Sequence, residues 1–294
     1  MEVSFRFLLR PYFMALLAQN PKAGGARERK AAATQMLPRA VCFVHNVVQI
    51  ALALAVLADP AFRADVMFRA SPLSRLVMLV SAGYFFYDAL ECVWRYEHEG
   101  PEFLLHGVMC FLTYAQLYRS GQMHWLGAGF LMWELSTPFM HARWFLYKIG
   151  RDKSAAYPAV ALAGMAVFFL CRICFGPWLS WRYLAESSAA LATPRGRREL
   201  WMPAIWYFRL NVVVLNSLNA FWFSKMVKML AHAMQSGGGE EKKEGGGGSK
   251  KKTDGGKAAA AAARPGGRRA VDVTASAAPT PTRRGSSRAL AGQA

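Results

Sequence analysis

The segment Met123–Tyr147, MHWLGAGFLMWELSTPFMHARWFLY, decides how this chain is read. At 1.5 Å per residue, a helix of this length crosses the roughly 30 Å hydrocarbon core of a bilayer. Yet Glu134 sits at its centre. An ionisable group there costs roughly 2.5–3.5 kcal/mol on insertion scales, so the carboxylate is expected to face a protein-lined cavity. Pro138, four residues on, has no N–H and deprives the Glu134 carbonyl of its helical donor. A kinked, polar-lined helix follows, with Ser136 and Thr137 the adjacent groups able to satisfy the freed backbone.

Five further runs repeat the pattern of length and apolarity: Ala40–Ala58, Pro72–Trp94 and Glu102–Tyr118 before it, Ala155–Trp181 and Leu200–Leu230 after it. Short polar, Gly- or Pro-bearing joints separate them. The expected fold is an all-α polytopic transmembrane helical bundle of about six spans, occupying residues 40–235. Residues 1–39 form an N-terminal interfacial or cytosolic segment. Its first 20 residues are apolar but interrupted by Arg6, Arg10 and Pro11, which fits an interfacial helix better than a signal peptide.

Residues 236–294 read as a disordered basic tail. They hold 12 Lys/Arg, 5 Asp/Glu and 13 Gly, with no Phe, Trp, Tyr or Ile to build a core. The formal charge of +18 does not indicate nucleic acid, because the basic residues flank membrane helices instead of covering a folded face. Lys22, Arg27, Arg29, Lys30 and Arg39 precede the first span, and Lys148, Arg151 and Lys153 fill the fourth joint. With six spans these lie on one side together with the tail, which places both termini in the cytosol. The Lys250–Lys252 run and the later Arg pairs are candidates for anionic lipid headgroups. The glycine-rich stretches lack the context of a phosphate loop and read as linker.

Ionisable and polar side chains inside the spans mark the candidate site. Asp88 lies late in the second span, His106 opens the third, Glu134 is central in the fourth, and Arg172 lies past the middle of the fifth; Asn211, Asn216 and Asn219 mark the sixth. Helical spacing aligns His106, Cys110 and Thr113 in one stripe and Glu134, Thr137 and His141 in another. His106 is the candidate general acid or base, since imidazole titrates near working pH, with Asp88 or Glu134 orienting it. The bland alternative is interhelical hydrogen bonding at about 0.6 kcal/mol per group. Five cysteines, an odd number within or beside spans, argue against a disulfide framework. Cys171-x-x-Cys174 lacks a second pair and a nearby histidine, so no metal and no cofactor are expected.

The blocks Gly83-Tyr84-Phe85-Phe86-Tyr87-Asp88, Phe103-Leu104-Leu105-His106, Trp133-Glu134-Leu135-Ser136-Thr137-Pro138-Phe139 with Arg143-Trp144-Phe145, and Phe169-Leu170-Cys171-Arg172-Ile173 resemble successive blocks of the TLC-domain family. The resemblance runs from about Ala40 to Leu230. It implies an endoplasmic-reticulum-type multi-pass domain that handles lipids. The family includes ceramide synthases, which join a long-chain amine to an acyl thioester and carry two adjacent histidines at the third-span position. Here His106 is followed by Gly107, and the fourth-span block lacks the synthase His-Asp pattern. The chain therefore resembles the non-synthase TLC domain-containing proteins more closely.

The resulting expectation is a protein of membrane lipid homeostasis with a polar-lined intramembrane cavity. His106, Asp88 and Glu134 form its candidate centre, with Thr113, Ser136, Thr137, His141, Arg172, Asn211 and Asn216 on its lining, and membrane lipids as its partners. One alternative is a sphingolipid N-acyltransferase using acyl-CoA, with His106 as catalyst. A second is a non-catalytic adaptor that recruits partners through the basic tail. A transporter is disfavoured by the lack of a duplicated half.

Overall fold

Helices begin and end where the sequence supplies caps and stops. In a computed structural model, residues 2–20 and 24–244 are described. They contain α1 (Glu2–Ala18), α2 (Ala26–Ala58), α3 (Pro60–Ala64), α4 (Pro72–Trp94), α5 (Tyr96–Glu99), α6 (Pro101–Ser120), α7 (His124–Leu131), α8 (Thr137–Lys148), α9 (Ala156–Phe168), α10 (Phe175–Ala192), α11 (Pro194–Glu199) and α12 (Met202–Glu244). A 3₁₀ segment, Met132–Ser136, joins α7 to α8, and a π-helical segment, Phe169–Cys174, joins α9 to α10. No strand occurs among the described residues.

Ser71 and Ser74 cap α4 reciprocally, each hydroxyl accepting the other's backbone N–H, and Pro72 fills the first helical position. Gly121, at φ 69°, closes α6 in the left-handed region that suits glycine. These two ends matter because α4 and α6 pack along each other more extensively than any other pair.

Six helical rods stand where six spans are expected. Three of them, Ala26–Ala58, Pro72–Trp94 and the continuous Ala156–Ala192, are long and apolar enough to cross a membrane. The remainder are α6 and the apolar part of α12, which are more polar, and the 123–147 segment, which is broken into three pieces. Outward positions such as Val47, Leu54, Leu79, Leu90, Leu170 and Val213 are exposed hydrophobics, as a lipid-facing surface requires. Inside, Val77, Met78, Leu126, Leu131, Leu179 and Ile205 form the centre of the main core. The N-terminal segment folds back onto it: Phe13 and Leu17 of α1 pack with Met36 and Leu37 of α2 and Trp144 of α8.

Two expected boundaries shift. The first span belongs to a helix that already starts at Ala26, and α12 stays helical to Glu244, past the expected start of the tail at Ser236. Residues 245–294, including Lys250–Lys252, lie outside the described residues.

Candidate functional site

The site grows from the broken fourth rod. Thr137 N–H donates to the Glu134 carbonyl, the group that Pro138 leaves without its usual donor, so the chain tightens into a 3₁₀ turn. The Trp133 carbonyl is met by side chains. Arg172 Nε donates to it at 2.9 Å and Ser136 Oγ at 3.2 Å, while Cys171 Sγ lies 3.7 Å away. Thr137 thus acts through its backbone and Ser136 through its hydroxyl.

Arg172 collects the surrounding elements. Its Nη2 meets Glu134 Oε1 at 3.0 Å and Thr137 Oγ1 at 3.2 Å, and its Nη1 donates to Asn219 Oδ1 on α12 at 3.1 Å. Thr137 Oγ1 in turn donates to Glu134 Oε2 at 2.7 Å. Arg172 and Glu134 are only 6% and 8% exposed, so both charges have left solvent and are compensated mainly by each other. No glycine or proline inside Phe169–Cys174 announces the π turn that carries Arg172. That turn lets both Cys171 and Arg172 reach Trp133. Cys171 is buried and Cys174 exposed.

Around this hub lie two compartments. A chamber open to its surroundings, with about 1130 Å³ of empty space in all, sets charged and polar groups including Arg39, Asp88, Glu91, Arg95, Glu99 and His141 among apolar ones such as Phe103, Met140, Phe168 and Met226. A second compartment of about 650 Å³ is walled mainly by apolar groups such as Leu117, Leu126, Phe130, Leu131 and Val212. The two share three residues: Phe85, His106 and Glu134. A space bordered by charged side chains and a space bordered mainly by apolar ones therefore meet at one imidazole and one carboxylate.

His106 does not have the partner expected of it. Its ring nitrogens lie 3.8 Å from Cys110 Sγ, and it meets Phe85 and Trp222 edge to face, at 5.9 and 5.6 Å between ring centres. Neither Asp88 nor Glu134 hydrogen-bonds it among the described residues; Glu134 is committed to Arg172 and Thr137. The neighbouring position has a physical constraint. A Cβ on Gly107 would lie 3.1 Å from Asp88 Oδ2 and 3.2 Å from the Ala89 backbone. Position 107 faces α4 at close approach, so a second imidazole there would meet that helix.

The other expected lining residues divide. Ser136, Thr137, His141 and Arg172 line the polar chamber, and Thr113 and Asn211 line the apolar one. Asn211 Nδ2 donates to Thr113 Oγ1 at 2.7 Å, a tie between α12 and α6. Asn216 is outside the lining of both compartments, and its amide donates to Ser180 Oγ at 2.8 Å and the Val212 carbonyl at 2.6 Å, joining α12 to α10.

Sequence reasoning missed the charged wall. Asp88, Glu91, Cys92 and Arg95 recur at the i, i+3, i+4, i+7 spacing of one helical face, a signal that was present in the sequence. Asn219, noted with Asn211 and Asn216 on the sixth span but left out of the expected lining, is 1% exposed and bonded to Arg172. Trp222, stacked on Phe103 at 5.3 Å, carried no sequence signal separating it from ordinary core.

Comparison with known proteins agrees with the helical blocks quoted above. The chain is 31% identical over 188 residues to a TLC domain-containing protein of Schizosaccharomyces pombe, covering 64% of this chain and 62% of that protein. It is 30% identical over 169 residues to Topoisomerase I damage affected protein 4 of Saccharomyces cerevisiae, covering 53% and 55% respectively. With TLC domain-containing protein 4 of Xenopus tropicalis it shares 30% identity over 196 residues, covering 65% and 73%. It thus spans somewhat over half the length of the two yeast relatives. These relatives are non-synthase TLC domain-containing proteins and not ceramide synthases. The TLC domain model matches residues 36–228, a region that contains both compartments and the Arg172–Glu134 hub, and the chain belongs to the TLC domain family.

Proposed function

We propose that this protein binds membrane lipids within the bilayer and acts in membrane lipid homeostasis, with the polar chamber taking a headgroup and the apolar compartment taking hydrocarbon. The observation that carries this reading is the shared wall of Phe85, His106 and Glu134 between a space with charged side chains along its wall and a space lined mainly by apolar ones. An amphiphile needs that arrangement, because its polar end must leave hydrocarbon while its chain stays out of water. Residence in the endoplasmic reticulum with both termini cytosolic belongs to the same proposal, supported by the family membership and the loop charges.

The test is lipid retention. Protein solubilised in several gentle detergents, or extracted directly into polymer nanodiscs, is expected to carry defined lipids above the bulk membrane ratio when its extract is analysed by mass spectrometry. Recovery of none, or of the bulk mixture unchanged, would remove the binding cavity.

A second reading, acyl transfer from acyl-CoA to an amine at His106, draws on that imidazole's place at the seam. Membranes incubated with a sphingoid base and acyl-CoA decide it: turnover that is lost in His106→Ala supports it, and turnover that is absent or unaffected rejects it.

A further inference from the structure

Charge pairing in the polar chamber leaves one group over. Three arginines line it, and each meets one glutamate: Arg172 with Glu134 at 3.0 Å, Arg95 with Glu91 at 3.0 Å, and Arg39 with Glu99 at 3.8 Å. Asp88 is the fourth carboxylate on the wall, and it has no hydrogen bond or ion pair among the described residues. Its charged neighbours Glu134, Glu99 and Glu91 are of its own sign. With histidines neutral and all four carboxylates ionised, the wall carries one negative charge more than its arginines balance, and such a charge among membrane helices is costly until a proton or a cation joins it.

A second feature of the chamber points to an occupant. Trp222 is 8% exposed, and among the described residues neither its buried Nε1 nor either ring nitrogen of His141 has a hydrogen-bond partner. All line the same space as Asp88.

We infer that Asp88 is the counter-ion for an ammonium group on a membrane lipid, held in the polar chamber while the lipid's hydrocarbon occupies the apolar compartment. This rests on the lipid-binding reading above and narrows it to lipids bearing a cationic nitrogen. Two sources share that chemistry, a long-chain alkylamine without phosphate and a zwitterionic phospholipid.

The experiment measures binding of four labelled lipids to the full chain in detergent micelles: octadecylamine, phosphatidylethanolamine, phosphatidylcholine and, as the anionic control, phosphatidylglycerol. Wild type is compared with Asp88→Asn, which keeps shape and removes charge, and with Asp88→Glu, which keeps charge. The expected result is a loss of about tenfold or more for at least one ammonium lipid in Asp88→Asn, with phosphatidylglycerol changed less than about twofold and Asp88→Glu retaining the preference. Loss confined to octadecylamine identifies a lone amine as the source, and loss of a zwitterionic lipid identifies a phospholipid. Wild-type binding that Asp88→Asn leaves intact for every ammonium lipid overturns the assignment while the lipid cavity stands. Equal weakening of all four lipids also overturns it. If wild type binds none of the four and retains no cellular lipid, the lipid-binding reading itself has failed.

Discussion

Arg172 and Glu134, 38 residues apart in sequence, hold the broken fourth and fifth rods together through a 3.0 Å ion pair that is buried on both sides. The pair closes a ring of donors and acceptors with Thr137, Ser136, Asn219 and the Trp133 carbonyl. Removing one charge strands the other. Arg172→Met and Glu134→Gln are each expected to cost about 3–5 kcal/mol, measured by unfolding in micelles. The double variant Arg172→Met/Glu134→Gln should lose clearly less than the sum, because neither charge remains. Strict additivity would show that the two groups are energetically independent. Arg172→Lys should behave like a loss, since one ammonium cannot reproduce the guanidinium's fork of donors.

Gly107 tests whether the missing second histidine is a simple vacancy. With a Cβ held 3.1–3.2 Å from Asp88 and Ala89, Gly107→Ala is expected to destabilise by about 1–3 kcal/mol through overpacking of α6 on α4, and Gly107→His by more. The histidine variant should not gain amine acylation. A stable Gly107→His protein with new turnover would mean that α4 yields easily and that position 107 can reach the chamber.

The helical rods were legible because membrane spans announce themselves by length, and because the Ser-Thr-Pro block fixes where the fourth one breaks. The stripe Glu134, Thr137, His141 was legible for the same reason, as three residues at helical spacing all line one chamber. Pairing between rods was not. Periodicity places Arg172 on a helix but cannot say that a π turn brings it to Glu134, nor that Glu134, once taken, leaves His106 with only a thiol nearby. Asn216 shows the converse limit. Polar groups on a membrane helix need partners, and a partner on α10 serves as well as a cavity.

Two buried polar residues outside the cavities separate costly hydrogen bonds from cheap ones. His124 is fully buried and uses both nitrogens, Nδ1 to Ser74 Oγ at 2.7 Å and Nε2 to the Leu117 carbonyl at 3.1 Å, pinning the start of α7 between α4 and α6. His124→Ala opens a hole and removes both bonds, although the Leu117 carbonyl keeps Gly121 N–H and Ser74 Oγ keeps Ser71, for about 2–4 kcal/mol. Gln49 Nε2 ties α2 to the Val77 carbonyl at 2.7 Å and to Ser81 Oγ, but its Oε1 is buried and has no partner among the described residues. Gln49→Leu removes that orphan with both bonds, and its net cost should stay under about 1 kcal/mol. Thermal unfolding of the two variants side by side checks the order; a larger loss for Gln49→Leu would mean that interhelical bonding outweighs packing here.

If polar and apolar compartments recognise different parts of one lipid, their variants should change different properties of what is retained. Leu131, 1% exposed, lines the apolar compartment and is absent from the polar one. Leu131→Trp shortens the space available to hydrocarbon without altering any charge. Each buried methylene contributes about 0.8 kcal/mol, so a chain two or three methylenes too long loses roughly 2 kcal/mol, on the order of thirtyfold in occupancy. Mass spectrometry of lipid carried by Leu131→Trp should therefore show shorter chains with the headgroup distribution of wild type. Asp88→Asn should show the reverse, altered headgroups with unchanged chain length. A shift in both properties by either variant would mean that the wall of Phe85, His106 and Glu134 does not divide the cavity into separately readable parts.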